Sequence, residues 1–514
     1  MTIKNFMTSI KTLAALLMAG AAFAACSSSD DEILNEQPAN PTATKTYTMT
    51  IQATKGGDAA TTRGLSLDDK TLNVTWNENE EVEVFQKTQV TPETWTSLGK
   101  LKAKASSDGT TTLTGELTGL KDDNASTYPL RFFLHSGDVD YKNQNGVLDR
   151  DDNATKSIED NYDYASSTAV DNYTVDGNKV VVSGGITLTS LQAIVKFTLV
   201  DAIKGNPVNA TSLKIEGSQY MIESMSPTAG TKLTKELTIT PPSATNVIYA
   251  AISSVENSNF TLTATVGDDT YTYTKSGVTF TVGKYYEVKV KMLKYYEAVD
   301  LGLPSGTKWA TMNVGATSVT DRGYYYAWGE TTGYPDAQNH SFSWENYALI
   351  TGSGYSNNDF TKYHVVNNAF DYVTLQASDD AATANWGGSW RMPTKAEWQE
   401  LLDNCNYEWQ TNYQGSGMNG LLLTSKVTDK SIFLPANSNY NNTNITGQTF
   451  RICYWSSSVY SEGQWGEFDQ TYTYHPRYAY RLEALYHEGN SSFIISPQII
   501  NDDRNRGMGI RAVQ

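Results

Sequence analysis

The sequence predicts a mainly β protein: two β-sandwich lobes in series, then an α+β domain. Three observations carry this. Tyr supplies 32 of the 514 residues and aromatics 11%, against only 18% charged residues, a bias toward strands and turns and too apolar for a disordered chain. Apolar residues alternate with polar ones in short runs between residues 46 and 294, with Gly/Asp turn clusters between the runs, the period of half-buried strands. Trp76 and Trp95 are the only tryptophans before residue 300, so the other nine of the 11 mark a compositionally different C-terminal part. The length also exceeds what one ordinary core supports. A formal net charge of −17 excludes nucleic acid as a partner, since that is bound by excess Lys and Arg.

In chain order, Lys4 and Lys11 precede an apolar run, Thr12 to Ala25, too short to span a bilayer stably. Small residues Ala24 and Ala25 then precede Cys26. This reads as a signal peptide over residues 1–25, and the cysteine after small residues resembles the lipobox of bacterial lipoproteins, although Phe23 stands where Leu is usual. The resemblance implies acylation of Cys26, with two or more acyl chains giving a stable membrane anchor. Ser27 to Glu32 resembles the acidic signal that sends such lipoproteins to the outer face of the outer membrane. Residues 26–45 are polar and Pro-containing, a flexible tether.

Residues 46–205 and 206–294 are expected to form the two sandwich lobes, split by a break between Asp201 and Thr211. Tyr47, Met49, Ile51 and Ala53 alternate with Thr and Gln; Val288, Val290 and Met292 alternate with Lys and Glu; Leu191 to Val200 is nearly all apolar, as for a strand buried on both faces. Together with the lipoprotein start, the Val74-Thr75-Trp76 motif, the LQAIVKFTL run and the closing GKYYEVKVKM run resemble the fimbrillin family of pilus subunits. That resemblance implies assembly with other pilus subunits by donor-strand exchange, in which a foreign strand completes an unpaired edge. It also makes Arg63, in Thr-Thr-Arg-Gly, the candidate for proteolytic processing.

Residues 295–514 carry an ordered set of motifs: Val299-Asp300-Leu301-Gly302-Leu303-Pro304-Ser305-Gly306, Tyr326-Ala327-Trp328-Gly329-Glu330, Trp390-Arg391-Met392-Pro393-Thr394, Tyr454-Trp455-Ser456-Ser457-Ser458 and Gly509-Ile510-Arg511-Ala512-Val513. The set resembles the FISUMP, or major paralogous domain, family, which implies a C-type-lectin-like fold close to that of the formylglycine-generating enzyme. From spacing alone, Thr394 and Glu397 form a capping box, and Trp398, Leu401, Leu402 and Cys405 line one face of a helix of about ten residues. Cys405 and Cys453 are either a disulfide or two buried thiols.

No catalytic constellation is present, and the chain reads as a non-enzyme without a cofactor. None of the five histidines sits in an H-E-x-x-H pattern, no Walker or Rossmann loop occurs, and the redox cysteine pair of the formylglycine-generating fold is missing. Tyr141 to Asp152 has EF-hand-like spacing but Tyr in the first ligand position, so an acidic loop is expected and calcium is the alternative. The candidate ligand-binding surface is the segment after the Trp-Ser-Ser motif: Tyr460, Trp465, Tyr472, Tyr474, His475, Tyr478, Tyr480, His487, Asn501 and Asp502. Rigid aromatic area beside adaptable polar groups suits recognition of a host or bacterial surface ligand. The expectation is therefore a surface-exposed, pilus-associated adhesin, with the bulky C-terminal domain favouring a tip position; a non-binding structural or anchor subunit is the alternative, and an enzyme of the formylglycine-generating type a third reading.

Overall fold

Alternation along the first ordered run translates directly into a strand. In the computed structural model, which describes residues 45–514 other than 57–66, 69–70, 73–74, 90–92, 122–124, 135–136, 149–156, 163, 227–229, 463, 466–471, 488–492 and 495–496, strand β1 spans Thr46–Gly56. Tyr47, Met49, Ile51 and Ala53 point into a core at 4% exposure or less, and the intervening Thr and Gln face water. Cys26, the signal run, the tether and Arg63 lie outside the described residues.

Eight further strands complete the first lobe: β2 Glu81–Gln89, β3 Thr94–Ala103, β4 Thr110–Thr118, β5 Leu130–Leu134, β6 Ala165–Ser166, β7 Tyr173–Asp176, β8 Lys179–Val182 and β9 Ile186–Ser190. Where two facing sheets were expected, the sheet closes on itself. β1 runs antiparallel to β4 from Thr46 to Thr54 on one edge. On its other edge it runs parallel first to β8 and then to β9. β1 is thus paired on both sides. Lys55, at its end, is buried: its ammonium donates to Glu80 at 3.1 Å and to the Thr75 carbonyl at 2.7 Å, and lies 3.9 Å from the centroid of the Trp76 ring.

The second lobe has an eight-stranded sheet, in which the short strand Val139–Asp140 pairs with β11 and the other seven are β10 Ala193–Asp201, β11 Ser212–Ser226, β12 Gly230–Ile239, β13 Val247–Ile252, β14 Val255–Val266, β15 Asp269–Phe280 and β16 Tyr285–Lys294. They run in the order β12-β11-β14-β15-β16-β10-β13. β10 is the apolar run of the sequence, buried on both faces; it pairs parallel to β16 and antiparallel to β13. The chain visits this sheet first at Val139–Asp140 and passes to it for good between β9 and β10, ahead of the break expected at residues 205–206, with Ala193, Ile194, Val195, Phe197 and Leu199 buried in the second core.

Beyond β16 the elements are short: β17 Ala298–Val299, β18 Trp309–Asn313, helices α1 Ala381–Trp386 and α2 Lys395–Asn404, then β19 Cys405–Gln410, β20 Gly420–Ser425, β21 Ser431–Pro435, β22 Arg451–Val459, β23 Tyr478–His487, β24 Gln498–Asp503 and β25 Arg511–Val513. They form three small sheets: β17-β18-β25, β19-β20-β21 and a sheet with β23 between β22 and β24. Trp309, Trp328, Trp398 and Trp455 are fully buried, which explains the tryptophan bias. α2 begins with the expected capping box and inserts Trp398 and Leu401 into the core. Within this part Tyr296 stacks on Trp386 at 3.9 Å, and the next residue, Gly387, meets the second lobe. Gly387 approaches so closely that a Cβ there would sit 2.6 Å from Ile203 Cδ1.

Candidate functional site: an aromatic face on the C-terminal part

The face is built on the β22-β23-β24 sheet. Its polar framework is a run of ion pairs across neighbouring strands: Arg451 and Arg481 on Glu483, Arg481 on Asp502 at 3.0 Å, Arg506 on Asp502 and Asp503 at 3.7 Å, and Arg477 on Asp503 at 2.7 Å. Four guanidiniums here share three carboxylates, a network that fixes the edge of the sheet and keeps one excess positive charge. Arg477, at the turn into β23, extends over three rings: Tyr355 at 4.6 Å, Tyr478 at 5.3 Å and Trp344 at 5.4 Å from their centroids. Such cation–π stacking orients the rings without consuming their outer faces. Tyr355 is 74% exposed. His475 and Tyr460 continue the face at 6.1 and 6.3 Å from Tyr478.

The loop that presents Tyr355 is held by local geometry. Gly354 adopts φ +79, and a Cβ there would lie 2.6 Å from Trp344 Cδ2, so only glycine lets the loop rest on the indole. The Asp359 carboxylate accepts the backbone N–H groups of Tyr355 and Ser356 at 3.1 Å and the Ser353 hydroxyl at 3.1 Å. These bonds, the one from Ser356 first, hold its pKa below the ordinary carboxylate value.

Of the ten candidate ligand residues, Tyr460, Tyr474, His475 and Tyr478 are half-buried on this side, with Tyr474 edge-on to Phe370 at 5.8 Å, and Asn501 is exposed. Tyr480 is only 5% exposed, covered by Tyr460 and by Lys395 at 4.1 Å, so it supports the face from beneath. Asp502 serves the ion-pair framework. Trp465 and Tyr472 pair with each other as backbone in a two-strand ribbon, and His487 ends β23; their side chains lie outside the described residues. Trp344, Tyr355 and Arg477 were not among the candidates. The available signal was a tyrosine set in the Gly-Ser-Gly-Tyr-Ser stretch, residues 352–356, far in sequence from the segment that drew attention.

The two thiols are free: Cys405 packs with the Trp398 cluster and Cys453 with the Trp455 cluster. The disulfide alternative is thus not formed. Burial pushes each thiol up to about 11, leaving neither as a thiolate nucleophile near neutrality. Arg511, of the last motif, is buried and donates to Asn313 Oδ1 and to the Ala310 and Phe433 carbonyls at 2.8–3.0 Å, a structural role. In the loop with EF-hand-like spacing, Tyr141 occupies the first ligand position but is 1% exposed and donates to Gln192, and Gln144 bonds to Ala251; Asp149 and Asp152 lie outside the described residues. Among the described residues no group of three or more His, Cys, Asp or Glu side chains could hold a metal ion.

No protein-family model and no curated protein matches the chain. Among solved structures, a proposed cell adhesion protein from Bacteroides uniformis aligns at 11% identity over 50% of this chain and 99% of that one, TM-score 0.27. The tip fimbrial protein Mfa3 from Porphyromonas gingivalis, with a C-terminal truncation, aligns at 10% identity over 49% and 98%, TM-score 0.24. A fimbrial protein from Bacteroides ovatus aligns at 11% identity over 92% and 99%, TM-score 0.21. At scores this low no shared fold or role follows for this chain.

Proposed function

We propose that this chain is a lipid-anchored, pilus-associated surface adhesin that binds its ligand through the aromatic face of the C-terminal part. The observation that carries this is Tyr355, 74% exposed yet held by Gly354, Asp359 and Arg477. A large ring fixed in water has no folding benefit proportionate to its exposure; a rigid aromatic anchor is what a contact surface needs. The lobes act as the stalk joint. β1, hydrogen-bonded on both edges and lying directly before the segment that contains Arg63, is the strand whose replacement by a partner's strand would link subunits.

The test is adherence. Bacteria displaying the Tyr355→Ala/Tyr478→Ala double variant should lose most binding to an array of extracellular-matrix proteins and bacterial surface glycans, with surface display unchanged. Undiminished adherence removes the adhesin reading in favour of a purely structural subunit. The anchor is tested separately by incorporation of labelled palmitate, which Cys26→Ala should abolish. For processing, the lipid-bearing form is the precursor and the assembled form should begin at Gly64, having shed Cys26 and β1 on one fragment; persistence of intact chain in assembled pili contradicts strand exchange at β1.

A further inference from the structure

A second concave site lies on the C-terminal part and shares no residue with the aromatic face. It is a cleft of about 530 Å³ lined by Arg322, Tyr324, Tyr325, Asp336, Met418 and Tyr440, among others. That volume falls in the ~300–1,000 Å³ range usual for small-molecule sites. We propose that this cleft binds a neutral pyranose ring, as part of a glycan chain.

The argument starts from the turn that forms its mouth. Asp321 accepts the Thr317 N–H at 3.0 Å and the Gly323 N–H at 3.1 Å, closing a tight loop. Tyr324 follows, 40% exposed, with its ring laid against Gly315 so closely that a Cβ there would meet Tyr324 Cγ at 2.6 Å. Its inner face is therefore occupied by backbone, and its outer side is left as a flat platform. The C–H face of a pyranose stacks on such a ring because it is apolar and slightly positive where the π cloud is negative.

The polar partners a sugar needs stand beside the platform. Arg322 donates from Nε to the Ala436 carbonyl at 2.8 Å and from Nη2 to the Gln448 carbonyl at 3.2 Å. Those two bonds hold the guanidinium plane, and among the described residues Nη1 has no hydrogen-bond partner, so a fixed donor is left to the cleft it lines. Asp336 uses Oδ1 to accept the Gln338 N–H at 2.9 Å, and among the described residues its Oδ2 has no hydrogen-bond partner, which leaves it as an acceptor. A rigid donor and an acceptor beside a ring platform match hydroxyl groups, which both give and take hydrogen bonds. The floor, Tyr325 and Tyr440, is buried and braced, the Tyr325 hydroxyl donating to the Asn437 carbonyl at 2.8 Å. Charge decides between neutral and acidic sugars. Two carboxylates, Asp321 and Asp336, line the cleft against one guanidinium, and the chain carries −17 overall, so a uronate would be repelled.

The test uses the full mature chain and four probes: the methyl pyranosides of glucose, galactose and mannose, and glucuronic acid, read by saturation-transfer difference NMR and by titration. Transfer from at least one neutral glycoside is expected, with glucuronic acid weaker. Tyr324→Ala should weaken binding about tenfold, the equivalent of one stacking contact. Arg322→Gln should do the same, and Tyr355→Ala/Tyr478→Ala should leave it unchanged. No transfer from any neutral glycoside overturns the proposal. So does binding that survives Tyr324→Ala, or a preference for glucuronic acid, which would make this an anion site. Tyr324 is exposed, so its variant tests the platform even if Arg322→Gln fails to fold. Loss on Tyr355→Ala/Tyr478→Ala alone would assign the sugar to the adhesin face instead and overturn the assignment to this cleft.

Discussion

Glu397→Gln removes one charge at the point where the C-terminal sheets are tied together. Glu397 caps α2: its carboxylate accepts the Thr394 N–H at 2.8 Å, the Thr394 hydroxyl at 2.9 Å and Arg391 Nη1 at 2.8 Å, with a second bond from Arg391 Nη2. The capped end then aligns β22, since the Ser457 N–H donates to the Pro393 carbonyl at 2.7 Å and the Lys395 N–H to Ser458 Oγ at 3.0 Å. Burial acts to raise the carboxyl pKa, but the bonds from Arg391 and Thr394 outweigh it and hold it at about 2, below its ordinary 4.5. Taken at face value that shift corresponds to about 3 kcal/mol. Arg391 is 44% exposed, so solvent screening reduces the expected loss to about 2 kcal/mol. The sign follows from the direction: a carboxyl depressed in the folded state contributes fully above its unfolded value, and the contribution disappears as pH falls from 4.5 toward about 2. Urea denaturation followed by tryptophan fluorescence reports this region, which holds nine of the 11 tryptophans. Wild type and variant should differ by about 2 kcal/mol at pH 7 and converge as the pH falls toward about 2. A gap that stays constant across that range, or is absent at pH 7, would refute the reasoning.

Three further outcomes are expected. Lys55→Met leaves Glu80, at 2% side-chain exposure, as an unpaired buried charge, and should cost about 3–5 kcal/mol in urea denaturation, with much of it recovered in the Lys55→Met/Glu80→Leu double variant. The native thiols, buried and pushed up to about 11, should react with a thiol reagent at pH 8 only on unfolding; fast reaction of two equivalents with the folded protein would contradict their placement. Trp386→Ala removes the ring that stacks on Tyr296 at 3.9 Å and should make limited proteolysis begin near residue 295; an unchanged digestion pattern would mean the joint is held elsewhere.

The local signals in the sequence were strong where one periodicity or one capping pattern decided the outcome. β1 and β16 follow period two, and α2 starts at the capping box because Thr394 and Glu397 satisfy each other's backbone donors without help from distant residues. Long-range pairing was not legible in the same way. Nothing near Leu191 says that this run pairs with Tyr285–Lys294 rather than with the preceding strands, and nothing near Thr46 says that β1 closes a sheet through Thr110–Thr118. The site divides along the same line. Tyr460, His475 and Tyr478 were readable as a tyrosine-rich segment, whereas Trp344 and Tyr355 reach the same face from more than a hundred residues away in sequence. Tyr480, two positions beyond Tyr478 and on the same face of the strand, is buried. A sheet residue's exposure depends on what covers that face; here Tyr460 and Lys395 cover it.

The exposed rings owe their order to charges that a ligand need not touch. Asp503 fixes Arg477, at 2.7 Å, and Arg477 in turn spans Trp344, Tyr355 and Tyr478. Asp503→Asn would leave every ring in place chemically and remove the charge that holds the guanidinium among them, together with the longer pairing to Arg506 at 3.7 Å. If rigidity is what makes this face a contact surface, the variant must pay in ordering the loop on binding, about 1 kcal/mol for each side chain newly immobilised. Binding should then weaken by roughly five- to tenfold, with a matching loss of near-ultraviolet circular dichroism from the tyrosines in the free protein. A variant whose aromatic dichroism fell while adherence stayed at the wild-type level would separate order from recognition, and the face would then act through its composition alone.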